Sequence, residues 1–336
     1  MPFDFARYIH NIDTSFQQGG AYDLRDFIFR NPTADKWVIA SDFNTCSPGA
    51  SQDVYSFACY PVDKGLEHLR SVLTNVFPKD FKETSIITRE QKRFFREDIC
   101  FCFVFFVSRK SKFLRTGDTK ADLIFARRLL DEAIAIISKN GAPDNLIKQI
   151  KALRQDASKN SFSLYLFERI LLLSMFTSYV SMRIAANTIV EHIGWFPDRD
   201  DMTTYADGVF NALSYINFQA LWSDVYPHVN TPPVRLHDRR ISNKSLDNLT
   251  DELIRVPDFL SAVLSRWDLE KNKIKNPGTA KRAAMNRYLN IIRHWQAGNS
   301  SLWIGNTRLE DGDLKTGRIV TATSLKKLNR YKGNLI

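Results

Sequence analysis

Lys36-Trp-Val-Ile-Ala-Ser-Asp42 is a short apolar run that ends in a carboxylate, a residue that strand ends do not ordinarily require. After it, Phe43 to Gln52 carries the turn formers Asn44, Ser47, Pro48, Gly49 and Ser51. Asp53 to Val62, rich in Val, Tyr, Phe and Cys, then reads as a second strand. Ile99-Cys-Phe-Cys-Phe-Val-Phe-Phe-Val107 is nine apolar residues bounded by charge. Its aromatic and β-branched content predicts a third strand, covered on both faces.

Upstream, Met1 to Asp35 reads as a helical lead-in broken at Gly19-Gly20. Between the second and third strands, Asp63 is expected to cap a helix through Val76, with Leu66, Leu69 and Leu73 on one face and Pro78 after it. Beyond the third strand the period becomes helical. Ala121 to Lys139 places Leu123, Ala126, Leu130 and Ile134 on one face and is closed by Gly141 and Pro143. A further helix follows, and Phe162 to Ala186 is apolar nearly all round, hence a buried helix. Thr188 to Phe196 predicts a fourth strand running into Pro197-Asp-Arg-Asp-Asp201. A helix over about Thr203 to Ala220, a short strand from Val234 to His237 and a helix from Val256 to Leu269 complete the order.

Three antiparallel strands followed by alternating helix and strand is the element order of an RNase H-like α/β fold. The expected architecture is a mixed five-stranded sheet flanked by helices. The expected layout is a lead-in over 1–35, a core over 36–270 with a helical insertion at about 120–187, and a basic C-terminal arm over 271–336.

The chain has 336 residues, 44% hydrophobic and 25% charged, which fits a globular protein rather than a disordered or fibrous one. No secretory pattern leads it, and the run Ile170 to Val180 is too short for a bilayer, so a cytoplasmic protein without a membrane partner is expected. Cys100 and Cys102 lie one residue apart in an apolar run, as core residues rather than zinc ligands. There is no Walker loop, His-Glu-x-x-His or Gly-x-Ser-x-Gly motif.

The net charge of +10 is concentrated. Residues 271–336 hold 14 Lys and Arg against 3 Asp and Glu, while the residues before them hold 33 against 34. Lys271, Lys273, Lys275, Lys281, Arg282, Arg287 and Arg293 are the candidate phosphate contacts, implying DNA or RNA as partner. Tyr288, Trp295, Trp303 and Tyr331 either stack on bases or pack on the domain. A basic segment can equally dock an acidic protein.

Asp42 ends the first strand, Asp198, Asp200 and Asp201 follow the fourth, and Asp258 opens the last helix of the core. In an RNase H-like sheet the first and fourth strands are parallel neighbours, so these acids are expected to converge. Clustered carboxylates repel unless a cation neutralises them, and Mg²⁺ or Mn²⁺ takes such oxygen ligands. Glu168, alone in an apolar helix, is either a further ligand or the partner of an Arg. Alternative roles are turn and N-cap positions for Asp198, Asp200 and Asp201, and a helix-terminal charge for Asp258. His192 is expected to be a satisfied core histidine, with His237 and Asp238 as possible helpers.

Trp37-Val-Ile-Ala-Ser-Asp42, Gly194-Trp-Phe-Pro-Asp-Arg-Asp200 and Val256-Pro-Asp-Phe-Leu-Ser-Ala262 together resemble an uncharacterised RNase H-like family. Its members open with a strand ending Asp-Glu-Ser-Gly and close with an Ala-Asp-Phe-type helix. The resemblance spans about Lys36 to Trp267. It implies a metal-dependent nuclease, often found near mobile elements and phage-defence loci. Asp42, Asp198 or Asp200, and Asp258 take the positions of the family acids. Ser41-Asp42-Phe43-Asn44 lacks the Glu-Ser-Gly part, and Pro257 stands where Ala is common. An inactive binding subunit on the same core is therefore the alternative.

Overall fold

The structure is a computed structural model that describes residues 5–45, 47–50, 52–84, 86–97, 99–139, 144–159, 161–232, 234–236, 244–298, 301–310 and 313–320. Its elements, in chain order, begin with α1 (Phe5–Gln17), α2 (Gly20–Phe29), β1 (Lys36–Asn44), β2 (Asp53–Pro61), α3 (Leu66–Val76), α4 (Arg89–Phe94) and β3 (Phe101–Val107). Then come α5 (Thr119–Lys139), α6 (Asp144–Asp156), α7 (Leu164–Ala185), β4 (His192–Pro197), α8 (Asp201–Thr204), α9 (Val209–Val225) and β5 (Val234–Leu236). The remainder are α10 (Lys244–Leu253), α11 (Arg255–Ser265), β6 (Trp267–Asp268), β7 (Lys273–Ile274), α12 (Thr279–Gly298), β8 (Leu302–Glu310) and β9 (Asp313–Arg318).

The chain divides into two compact units. One combines Met1–Ile9, Lys110–Ala186 and Arg199–Val234; the other combines His10–Arg109, Asn187–Asp198 and Arg235–Ile336. The helical excursion is thus larger than the expected 120–187, because the chain returns to the sheet for β4 and leaves it again. In the helical unit α7 packs on α9, where Ser178 donates to the Ser214 carbonyl (2.8 Å) and Asn217 donates to Ser174 Oγ (3.0 Å).

The other unit is built on a seven-stranded mixed sheet in the order β5-β4-β1-β2-β3-β8-β9. β1, β2 and β3 are antiparallel, β4 runs parallel to β1, β8 runs parallel to β3, and β9 returns antiparallel to β8. Alternation along each strand sends odd and even positions to opposite faces. On one face Phe16 of α1 meets Phe103 and Trp303, and Phe27 of α2 meets Trp37 and Phe101, at ring separations of 5.4–6.2 Å. On the other, Val38, Ala40, Val54, Ala58, Cys102 and Val104 pack under α3, α4, α11 and α12. Covered on both sides, β3 is buried throughout, as its unbroken apolar run requires.

Several expectations are corrected. The sheet has seven strands rather than five, because the segment expected as a basic arm supplies α12, β8 and β9. Tyr288, Trp295 and Trp303 are all at most 3% exposed and pack in the core, so stacking on bases is excluded for them. Tyr331 lies outside the described residues, as do Cys46, Gly141, Pro143, His237 and Asp238. Gly65, at φ 86°, precedes α3 instead of Asp63, whose Oδ1 accepts from Lys64 N (2.9 Å). The helix expected over 203–220 is split by a 3₁₀ turn with Ala206 and Gly208 at positive φ. α11 stops at Ser265, where Trp267-Asp268 pairs with Lys273-Ile274 instead of continuing the helix. Cys59, Cys100 and Cys102 are buried free thiols. Among the described residues no helix is long and apolar enough to cross a membrane.

Candidate active site

Position 42 falls on the even face of β1, the face that α11 covers. β4 lies against β1 in parallel register, with Ser41 opposite Pro197. The ladder runs one step further, where Asp198 N donates to the Ser41 carbonyl (2.8 Å), so Asp198 arrives beside Asp42. α11 is fastened over the same strand end by Ser56 of β2. Its hydroxyl lies 2.9 Å from the Asp42 carbonyl and 2.8 Å from that of Pro257, the residue before Asp258. The elements that carry these three acids, widely separated in sequence, therefore come together at one end of the sheet.

Asp42 is the hub. Its side chain is 7% exposed, and Ser261 of α11 donates to its Oδ2. Burial, then the charges of Asp258 and Asp198, hold the Asp42 carboxyl well above the usual carboxylate range. The Ser261 hydroxyl pulls it down, while a hydrogen bond between the Asp42 and Asp198 carboxyl groups adds to the upward push. Asp42 is therefore a buried carboxyl set beside two further acids. The acids are linked pairwise through Asp42. Among the described residues no three His, Cys, Asp or Glu side chains are grouped closely enough to hold a metal ion as they stand. The donor set is nonetheless all hard oxygen, the chemistry that suits Mg²⁺ or Mn²⁺.

The other sequence candidates are engaged elsewhere. Asp200 is the N-cap of α8: its Oδ1 accepts from Met202 N (2.9 Å) and Thr203 N (3.0 Å), and Thr203 Oγ1 accepts from Asp200 N in return. Asp201 is exposed in the first turn of that helix, where negative charge suits the dipole. Glu168, in the helical unit, is the Arg partner that its apolar surroundings required. Its Oε1 accepts from Arg115 Nη2 (2.8 Å) and its Oε2 from Leu114 N (2.7 Å). Both oxygens are committed to holding that loop. His192 is half-buried and its Nδ1 lacks a hydrogen-bond partner among the described residues, so it is not the satisfied core histidine expected.

The candidate phosphate contacts divide in two. Lys271, Lys273, Lys281, Arg282 and Arg287 are exposed. Lys275 is exposed but pairs with Asp268 (3.3 Å), and Arg293 is folded inward, donating to Asn272 O (2.6 Å) and lying over the Trp267 ring. Burial lowers the Arg293 pKa. Lys281 and Arg282 sit in the first turn of α12, the end of a helix where cations are least favoured.

Ser56 and Ser261 are the functional candidates that sequence reasoning passed over. Ser261 had a signal: it is a polar residue on an apolar helix stripe, three positions after Asp258 and so on the same side of α11. Ser56 had none, since its value lies in two carbonyls that only the fold brings together.

The chain matches no family model, no curated protein and no solved structure.

Proposed function

We propose that the protein is a metal-dependent phosphodiesterase acting on DNA or RNA, built on an RNase H-like core. The observation that carries this reading is the Asp42 carboxyl, buried between Asp198 and Asp258. The parallel pairing of β4 with β1, with acids at the ends of both strands and on the covering helix, supports it further. Exposed cations at Lys271, Lys273, Lys281 and Arg282 would hold the phosphate backbone.

Asp42, Asp198 and Asp258 would hold Mg²⁺ or Mn²⁺, with the Asp198 and Asp258 carboxylates turned toward Asp42. A divalent cation there supplies neutralisation of the acids and charge stabilisation at a phosphoryl oxygen. The chain's own contributions are distinct. Ser261 fixes one Asp42 oxygen and leaves the other facing its acidic neighbours. Ser56 locks the α11 backbone to β1, so that Asp258 keeps its place. The Asp42 carboxyl, held above the usual carboxylate range, would have to ionise to serve as a ligand, which would couple metal binding to pH.

The test is incubation of the purified chain with mixed nucleic acids and Mn²⁺, beside Asp42→Asn. Wild type should cleave and gain thermal stability from Mn²⁺; Asp42→Asn should stay folded and do neither. Cleavage unchanged in Asp42→Asn would refute the assignment. A second reading, a binding subunit without hydrolysis, is favoured by Ser41-Asp42-Phe43-Asn44, which lacks the Glu-Ser-Gly of the resembling family. Wild type that binds nucleic acid yet is neither stabilised by Mn²⁺ nor cleaves would select it.

A further inference from the structure

Pro257 interrupts a helix immediately before Asp258. α10 ends at Leu253 and α11 begins at Arg255, with Ile254 between them at helical φ −77° and ψ −8°. Ile254 N donates to the Thr250 carbonyl (3.1 Å) and Asp258 N to the Ile254 carbonyl (2.8 Å), so the helical ladder continues through the junction. One rung is absent. The Leu253 carbonyl would be served by the amide of residue 257, and proline has none. Proline also crowds the carbonyl four residues back, which bends a helix.

Leu253 is fully buried, so its freed carbonyl needs another donor. Tyr60 of β2 is that donor: its buried phenol donates to the Leu253 carbonyl (3.2 Å). Proline inside a helix is unfavourable by itself, and so is a buried phenol without an acceptor; paired, they satisfy each other. Two more side chains at four-residue steps, hence on the same face, hold the segment beyond the break. The Ser56 hydroxyl lies 2.8 Å from the Pro257 carbonyl, and Gln52 Nε2 donates to the Leu264 carbonyl (2.7 Å). The part of α11 so held carries Asp258 and, one turn on, Ser261, which donates to Asp42 Oδ2.

We propose that Pro257 and Tyr60 act together to aim Asp258 at Asp42, the proline breaking the helix at Leu253 and the phenol holding the freed carbonyl. Both are positioning residues and touch no substrate. The inference rests on the metal reading only where Mn²⁺ is measured; the placement of Asp258 is tested without metal.

Urea unfolding in EDTA at pH 7 gives two double-mutant cycles. Asp258→Asn removes a charge that bears on Asp42, and should favour the folded state by about fivefold in the wild-type background. With Pro257→Ala the missing amide returns, the helix straightens and Asp258 moves away, so that gain should fall below about twofold. Tyr60→Phe should shift the unfolding equilibrium by about fivefold in wild type, and by much less beside Pro257→Ala, where the new amide takes over the Leu253 carbonyl. Mn²⁺ titration calorimetry on the folded proteins is the third readout. Pro257→Ala should bind about tenfold more weakly than wild type while being no less stable, a split that a merely structural role does not give. Gly305→Ala, which disturbs β8 instead, should keep the wild-type affinity. The proposal is overturned if Asp258→Asn has the same effect with and without Pro257→Ala, or if Tyr60→Phe and Pro257→Ala are additive. Wild type that takes up no Mn²⁺ while both cycles show coupling would uphold the positioning and refute the metal reading.

Discussion

Replacing Asp42 by Asn should change how stability depends on pH, and the sign follows from the site. In the unfolded chain an Asp carboxyl titrates at about 4. In the folded chain burial, Asp258 and Asp198 hold Asp42 well above that. Below about pH 4 the group is protonated in both states and adds no slope. Above that, and up to its folded pKa, the native state keeps a proton that the unfolded state has lost. Unfolding free energy should therefore fall as pH rises, by up to about 1.4 kcal/mol per pH unit for one proton. Past the folded pKa the slope ends and the accumulated loss remains. Asn removes the titrating group, keeps an oxygen for Ser261 and relieves the repulsion. The variant should match wild type near pH 4 and become the more stable protein as pH rises, the gap growing at that slope until it levels off. Urea unfolding in EDTA at half-unit pH intervals measures this. Tryptophan fluorescence is a suitable probe, because Trp37, Trp195, Trp267, Trp295 and Trp303 lie in the sheet unit and only Trp222 in the helical one. Because the charges of Asp258 and Asp198 contribute to the Asp42 shift, the slope reports on the cluster rather than on one oxygen. Parallel curves for the two proteins would refute the account of Asp42 as a carboxyl squeezed between like charges.

Ser261→Ala removes the one contact that favours the ionised Asp42, so the falling region of the wild-type curve should extend to higher pH and Mn²⁺ affinity should drop by about tenfold; an unmoved pH profile would deny the hydroxyl its role. Glu168→Ala strands the Arg115 guanidinium and the Leu114 N–H, and should cost about 2–3 kcal/mol of stability in urea, discounted because Arg115 is partly exposed, while leaving Mn²⁺ binding unchanged. Gly305→Ala would push a methyl into the Trp303 ring, which lies against it on the core face, and should cost about 1–3 kcal/mol by the same assay. A neutral Gly305→Ala would mean that β8 does not belong in the sheet as described.

What the sequence disclosed and what it hid have separate physical causes. β1, β2 and β3 were legible because apolar runs of strand length, bounded by turn formers or charge, admit few other structures. Asp42 was legible because a carboxylate on such a run has no structural reason to be there. β8 was hidden by its setting: Leu302-Trp-Ile304 is a plain buried segment, but it lies in a stretch whose charge count invited a reading as a solvated arm. Counting charge over 66 residues averaged away the apolar stripe of α12, on which Met285, Tyr288, Leu289, Ile292 and Trp295 recur at helical spacing. Asp200 and Asp198 could not be separated by spacing, being two residues apart. The difference is that Asp200 turns to cap α8, whereas Asp198 follows the ladder to Ser41. Glu168 was correctly weighed as needing a cation, but its partner Arg115 is 53 positions away and only the fold could name it.

The acid cluster also bears on why these residues stand where they do. A chain selected for stability alone would carry Asn or Ser at 42, since either keeps a hydrogen bond with Ser261 without a buried charge facing two others. The surroundings do not compensate the cost. Ser261 supplies one neutral donor to Asp42, and among the described residues no cation forms an ion pair with it. Elsewhere Asp23 is met by Arg318, Asp53 by Arg109 and Glu168 by Arg115, each at 2.7–2.9 Å, while the buried Asp122 accepts from Thr116 N and Oγ1. Three buried or half-buried carboxylates receive an arginine, and the one at the sheet's open end receives two more carboxylates. A buried carboxyl held between two further acids is the feature that the proposed divalent cation would neutralise.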